Sequence, residues 1–247
     1  MRAALRAPLS APVRLGLNLG VGVLLLIAAA WLFGAIAEDV VTGDRLTQLD
    51  AEIARQLHAG AEPSLTRWIL VFTHLHSTVA IACYAFAAAL FMYRAREWRL
   101  LVTWFVVLGG GMTLNVLMKL AFHRARPTFD DPLLTLTTYS FPSGHVAAST
   151  LFYGLIVAFV FSRTKAPLGR GLALLAASGA IGGVAFSRMY LGVHYLSDVA
   201  AAFAEGVAWL TLCIGALSTF WRKPALAPDG AAEPAPIASR VAPVRRP

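Results

Sequence analysis

Six apolar stretches, at 15–37, 68–93, 100–120, 142–161, 171–186 and 197–220, constrain this chain more than any other feature. A bilayer core about 30 Å thick takes about 20 residues of helix to cross. Within it only helices and closed barrels satisfy their own backbone hydrogen bonds. The runs therefore predict an all-α, polytopic membrane protein: a six-transmembrane-helix bundle with an extracytoplasmic amphipathic helix between the first two spans. Composition agrees, because 58% of the 247 residues are hydrophobic and 14% charged, against about 25% charged in a soluble domain. The expected division is a basic N-terminal tail (1–14), one membrane domain (15–223) and a disordered tail rich in Ala and Pro (224–247).

The first run has a rival reading as a signal peptide, since Ala35-Ile36-Ala37 before Glu38 resembles a cleavage site. Signal cores are usually only about 7–15 residues long, so an uncleaved helix is expected. The net charge of +8 and pI near 10.1 would fit a nucleic-acid partner. Their distribution favours a membrane explanation, because cytoplasmic loops collect Lys and Arg. With six spans both termini share one side, and that side receives Arg2, Arg6 and Arg14, then Arg94, Arg96 and Arg99, then Arg163, Lys165 and Arg170, then the basic residues from Arg222 onward. The termini are expected in the cytoplasm, with the 121–141 loop on the opposite face.

The segment 38–67 is the most acidic region, and Leu46, Leu49, Ile53 and Leu57 recur in it at helical spacing. It reads either as a surface helix forming a rim for a lipid headgroup or as a connecting helix packed on the bundle. His74 and His76, without a third ligand, are poor evidence for a metal, and interfacial placement or headgroup contact is expected. Gly109-Gly110-Gly111 predicts close helix contact, or else a local distortion. Cys83 and Cys213 both fall in apolar spans and imply no disulfide framework.

Polar chemistry is concentrated in three places. Lys119 and Arg126 stand seven apart, with Pro127 following. Pro142-Ser143-Gly144-His145 opens a span. Ser187-Arg188 is followed by His194 and Asp198, a pair spaced to share a helix face. Charges in so apolar a chain are costly and usually functional. A carboxylate beside an imidazole fixes its tautomer and orientation, and three cations suit the oxygens of a phosphate. Gly144 at a helix start allows an anion to approach free backbone N–H groups closely.

This ordered set resembles the type 2 phosphatidic acid phosphatase (PAP2) superfamily, in its membrane-bound lipid phosphate phosphatase branch. All three of that family's motifs are present in order between residues 119 and 198, and no motif position departs from the pattern. The resemblance implies that His194 is a nucleophile forming a phosphohistidine, oriented by Asp198. His145 would protonate the leaving oxygen and then activate water. Lys119, Arg126, Ser143, Gly144 and Arg188 would bind the phosphate. It implies no cofactor and no metal, a lipid phosphate or diphosphate as substrate, and membrane lipids rather than nucleic acid as surroundings.

Undecaprenyl diphosphate and phosphatidylglycerol phosphate are typical substrates of bacterial members, and the residues do not choose between them. The bacterial inner membrane, with the site on its outer face, is the expected location. Arg124 and His123 lie beside the first motif and are expected to serve the interface or a headgroup. Three rivals stand beside hydrolysis. A lipid phosphotransferase would use the same phosphohistidine. A vanadium-dependent haloperoxidase shares the anion pocket, but such enzymes are soluble. A non-catalytic lipid binder or transporter would be expected to lack His145, His194 or Asp198.

Overall fold

The computed structural model describes residues 11–221. The predicted tail 224–247 and the first ten residues of the predicted N-terminal tail lie outside them. Eight α-helices follow in order: α1 (Ala11–Thr42), α2 (Arg45–Ala59), α3 (Pro63–Leu75), α4 (Thr78–Arg94), α5 (Trp98–Phe122), α6 (Gly144–Arg163), α7 (Pro167–Tyr190) and α8 (Leu196–Phe220). Six segments have the length and hydropathy of membrane spans, with α3 and α4 together forming the second, Pro63–Arg94. The chain is a multi-pass membrane protein.

Three boundaries differ from those read along the chain, each for a local reason. α1 runs on to Thr42 and carries Glu38 and Asp39 within it. The helix that follows is therefore only Arg45–Ala59, not the whole of 38–67. The second span is interrupted at His76-Ser77, because Ser77 leaves the helix and its Oγ accepts the Ala80 N–H at 3.1 Å, starting α4 as an N-cap. His74 and His76 close α3 by donating from Nδ1 to the carbonyls of Leu70 (2.6 Å) and Phe72 (2.9 Å). Those contacts tie the two imidazoles to the last turn of α3, with His74 exposed and His76 half-buried.

α6 and α8 are the inner helices of the bundle. α8 packs against α1, α5 and α6, and α7 lies mainly on α6. Close approach depends on small residues. Gly110 and Gly111 face the Trp209 indole of α8, and Gly111 also faces Leu151 of α6, while α5 stays a continuous helix. Gly110 and Gly111 thus form a contact surface, and the triple glycine is not a distortion. Trp209 completes the junction by donating Nε1–H to the Val107 carbonyl at 3.1 Å.

Successive spans alternate in direction. The end of α5, the start of α6, the end of α7 and the start of α8 therefore meet at one end of the bundle, and α2 lies at the same end, in contact with α1, α7 and α8.

Candidate functional site

Direct hydrogen bonds join the three motifs pairwise. Lys119 Nζ, near the end of α5, donates to the carbonyls of Tyr139 (3.0 Å) and Pro142 (2.5 Å), the latter in the second motif. The Ser143 N–H, at the start of α6, donates to the Asp198 carbonyl at 3.1 Å. Arg126 Nη1 donates to the Val193 carbonyl at 2.6 Å and lies 3.2 Å from His194 Nε2. All eight residues singled out in the sequence thus belong to one cluster. His145 is half-buried and within electrostatic reach of Lys119, Arg126, Arg188 and His194.

His194 sits in the short turn between α7 and α8, shaped by Gly192 at φ +67°. Its Nδ1 faces Asp198 Oδ2 at 3.3 Å. The same carboxylate oxygen accepts the Tyr195 N–H at 2.9 Å, closing the first turn of α8. With Nδ1–H directed at Asp198 and Nε2 accepting from Arg126, the hydrogen bonds assign a neutral imidazole with its lone pair on Nε2. Electrostatics agree. Burial pushes the His194 pKa down to about 4, with Arg126 and Arg188 adding to the effect and Asp198 opposing it.

Arg188 is 1% exposed, and its Nη1 donates to Thr73 Oγ1 at 3.0 Å. Its Nε and Nη2, and the buried Ser143 hydroxyl, have no hydrogen-bond partner within the described protein. Buried donors of this kind are rare in native structures. The first amides of α6 likewise have no intrahelical acceptor. A guanidinium edge, a hydroxyl and a helix N-terminus thus present donors, with Lys119 and Arg126 nearby. Such a set matches the oxygens of a phosphate. Gly144 is backed closely, since a Cβ there would lie 3.4 Å from Asn115 Oδ1 and 3.8 Å from Lys119 Cε. Among the described residues no group of three His, Cys, Asp or Glu side chains is placed to hold a metal ion.

Two openings adjoin the cluster. A cavity of about 410 Å³ lies among Arg126, Pro127, Thr135, Thr138 and Tyr139 of the 123–143 loop and Val193. An apolar groove, also about 410 Å³, runs between α4 and α5 past Ile81, Phe86, Ala89, Trp104 and Phe105. Its upper end is Thr78, whose Oγ1 is 4.0 Å from the position of a Cβ on Gly144.

The sequence reading missed Thr73, Asp50 and the part played by Arg124. Arg124 does not face a headgroup: Nη1 donates to Asp198 Oδ1 at 2.6 Å and Nη2 to Asp50 Oδ2 at 2.8 Å. Burial pulls the Arg124 pKa down, but the two carboxylates outweigh it and hold it above the ordinary value. Asp50 is fully buried. One signal was present, because Asp50 falls at helical spacing between Leu46, Ile53 and Leu57, on the apolar stripe. Thr73 carried no such mark.

A helical membrane bundle with an oriented histidine inside a cationic, donor-lined pocket defines an enzyme built around phosphate chemistry. Residues 100–222 match the PAP2 superfamily. Phosphatidylglycerophosphatase B of Bacillus subtilis is 28% identical over 188 residues, covering 75% of this chain and 91% of that protein. A probable lipid phosphate phosphatase beta of Arabidopsis thaliana is 27% identical over 184 residues, covering 64% of this chain and 84% of that protein. Among solved structures, a transmembrane PAP2-type phosphatidylglycerolphosphate phosphatase from Bacillus subtilis superposes with a TM-score of 0.70 at 25% identity, over 80% of this chain and 98% of that one. Aquifex aeolicus LpxE shares the fold, with a TM-score of 0.53 at 20% identity over 67% and 94% of the two chains. The chain belongs to the PAP2 superfamily, among its lipid phosphatases, and is a phosphoric ester hydrolase.

Proposed function

We propose that this chain hydrolyses the phosphate monoester or diphosphate of a membrane lipid through a phosphohistidine on His194, without a metal ion. The observation that carries this reading is the pairing of a neutral His194, its Nε2 lone pair in the pocket, with the unpartnered Nε and Nη2 donors of Arg188. A nucleophile and an anion clamp then serve one phosphorus atom.

In the first step the Nε2 lone pair bonds to phosphorus as the bond from phosphorus to the lipid oxygen breaks. His145 gives its proton to that oxygen, so the lipid leaves as an alcohol, or as a monophosphate from a diphosphate. His194 now carries positive charge, which Asp198 stabilises through Nδ1–H. In the second step His145 takes a proton from water, whose oxygen attacks phosphorus and frees His194 and inorganic phosphate. Arg188, Lys119, Arg126 and the Ser143–Gly144 helix start hold the equatorial oxygens, and positioning with electrostatic stabilisation supplies most of the rate in such transfers.

For the substrate we favour a lipid phosphate monoester, because the relatives are phosphatases of phosphatidylglycerol phosphate and of lipid phosphates by name. Undecaprenyl diphosphate is the alternative. The apolar groove ending at Thr78 offers a path for lipid tails, and the loop cavity beside Arg126 offers room for a headgroup. The basic loops on the side of the termini favour an outward-facing site in a bacterial inner membrane.

The test is phosphate release from phosphatidylglycerol phosphate, phosphatidic acid and undecaprenyl diphosphate by detergent-purified protein in excess EDTA. Release that survives EDTA and disappears in His194→Ala supports the mechanism. Unchanged release in that variant overturns it. Phosphate moved to an added alcohol instead of water would make the enzyme a transferase.

A further inference from the structure

Asp50 belongs to none of the three motifs, yet it is a fully buried carboxylate on α2. Burying a charge is expensive unless it is paired and hydrogen-bonded. Every partner it has leads toward His194. Its Oδ1 accepts the Ser197 N–H at 2.9 Å. Its Oδ2 accepts the Ser197 hydroxyl in a short bond, and Arg124 Nη2 at 2.8 Å. The Arg124 Nη1 donates in turn to Asp198 Oδ1 and to Ser197 Oγ, both at 2.6 Å.

The N-cap position before α8 is Tyr195, which has no short side-chain oxygen to cap the first amides. Asp50 supplies that oxygen from another helix, at the end of α8 where the dipole favours negative charge. Arg124 then separates two buried carboxylates that would otherwise repel. Asp198 has one oxygen on Arg124 and the other on His194 Nδ1 and the Tyr195 N–H. Its orientation is therefore determined as much by Arg124 as by α8. Arg124, in turn, is held on its far side by Asp50 and stacks over the Tyr195 ring at 4.3 Å.

We propose that Asp50 is a positioning residue for phosphoryl transfer, aligning the His194–Asp198 pair through Arg124 and Ser197, so that α2 is part of the catalytic apparatus. The proposal rests on the reading of His194 as nucleophile. Without Asp50, Arg124 keeps one carboxylate and can turn, and the Ser197 amide loses its cap. Asp198 then holds His194 less firmly, while the donors that bind phosphate are untouched. Turnover should fall and substrate affinity should not.

The experiment measures kcat and KM for dioctanoyl phosphatidic acid in detergent, with Asp50→Asn, Arg124→Gln, the double variant, Ser197→Ala and His194→Ala. Glu52→Gln, an exposed residue on the same helix paired with Arg55, is the control and should match the parent. Asp50→Asn should lower kcat tenfold or more with KM within about twofold, a loss on the scale seen when partners orienting a functional histidine are removed. Arg124→Gln should do the same, and the double variant should be little worse than either single one, since both act on one element. Parental kcat in Asp50→Asn overturns the proposal. So do losses that multiply in the double variant, or a loss that appears in KM alone. If Asp50→Asn does not fold, Ser197→Ala decides: several-fold lower kcat at constant KM supports the proposal, and an unchanged kcat overturns it. Activity persisting in His194→Ala would instead overturn the underlying reading of the site.

Discussion

Arg126 Nη1 lies 3.2 Å from His194 Nε2. A guanidinium has only donors to offer, so this contact requires a neutral imidazole with its lone pair on Nε2. The nitrogen that touches Arg126 is thus the one proposed to attack phosphorus, and in that proposal Arg126 turns from it to a phosphoryl oxygen when substrate arrives.

A pH dependence follows. Burial first, then Arg126 and Arg188, push the His194 pKa from an ordinary 6.5 down to about 4. Above that value the imidazole is neutral and nucleophilic, and as pH falls through it the proton blocks Nε2. A titration of the His194 ring by NMR in detergent should therefore show its transition near pH 4, and a midpoint near 6.5 would contradict the assignment. The same shift affects stability. As pH falls from 6.5 toward 4 the unfolded chain takes up a proton that the folded site refuses, so this group's contribution to stability is lost across that window.

Arg188→Lys keeps the charge but removes the planar fork. Lys cannot reproduce Nε and Nη2 donors held in one plane by the Thr73 contact. We expect kcat/KM to drop by roughly a hundredfold, the scale of losing one preorganised donor to a developing oxyanion. Steady-state kinetics with a single lipid phosphate would measure it. A variant within threefold of the parent would mean the fork is not used.

Gly192→Ala should damage stability and activity together. Gly192 has φ +67°, and an added Cβ would lie 2.8 Å from Phe129 Cε2. The left-handed conformation alone costs about 1–2 kcal/mol for an L-residue. Because the turn carries His194 two residues later, turnover should fall even in the fraction that stays folded. Adding Phe129→Ala should relieve the clash but not the backbone strain, giving partial recovery in thermal unfolding.

The triple glycine of α5 offers a contrast within three residues. A Cβ on Gly109 meets nothing within 4 Å, whereas on Gly110 or Gly111 it would meet Trp209 at 2.4 Å or Leu151 at 2.5 Å. Gly109→Ala should be neutral or slightly stabilising, since Ala is the better helix former by about 1 kcal/mol. Gly110→Ala and Gly111→Ala should destabilise by about 1–3 kcal/mol through overpacking. Thermal unfolding in one detergent would rank the three.

The sequence by itself determined the number of spans and singled out eight residues that the fold gathers into one cluster. Hydropathy acts locally, over about 20 residues, so the six runs could be counted without knowing their partners. Lys119, Arg126, His145, Arg188, His194 and Asp198 stood out because ionisable residues in an apolar chain need a reason. Tertiary structure alone decided how they are held. The break at His76-Ser77 does not show in hydropathy averaged over a whole span, although Thr73, His74, His76, Ser77 and Thr78 lie around it. Asp50 and Arg124 are 74 residues apart and belong to a surface helix and a loop. The place of Asp50 on the apolar stripe marks it as inward-facing, but nothing local tells which distant helix it caps. Only the docking of α2 onto the start of α8 removes water from Asp50, and that burial turns an ordinary acidic residue into the anchor of the histidine pair.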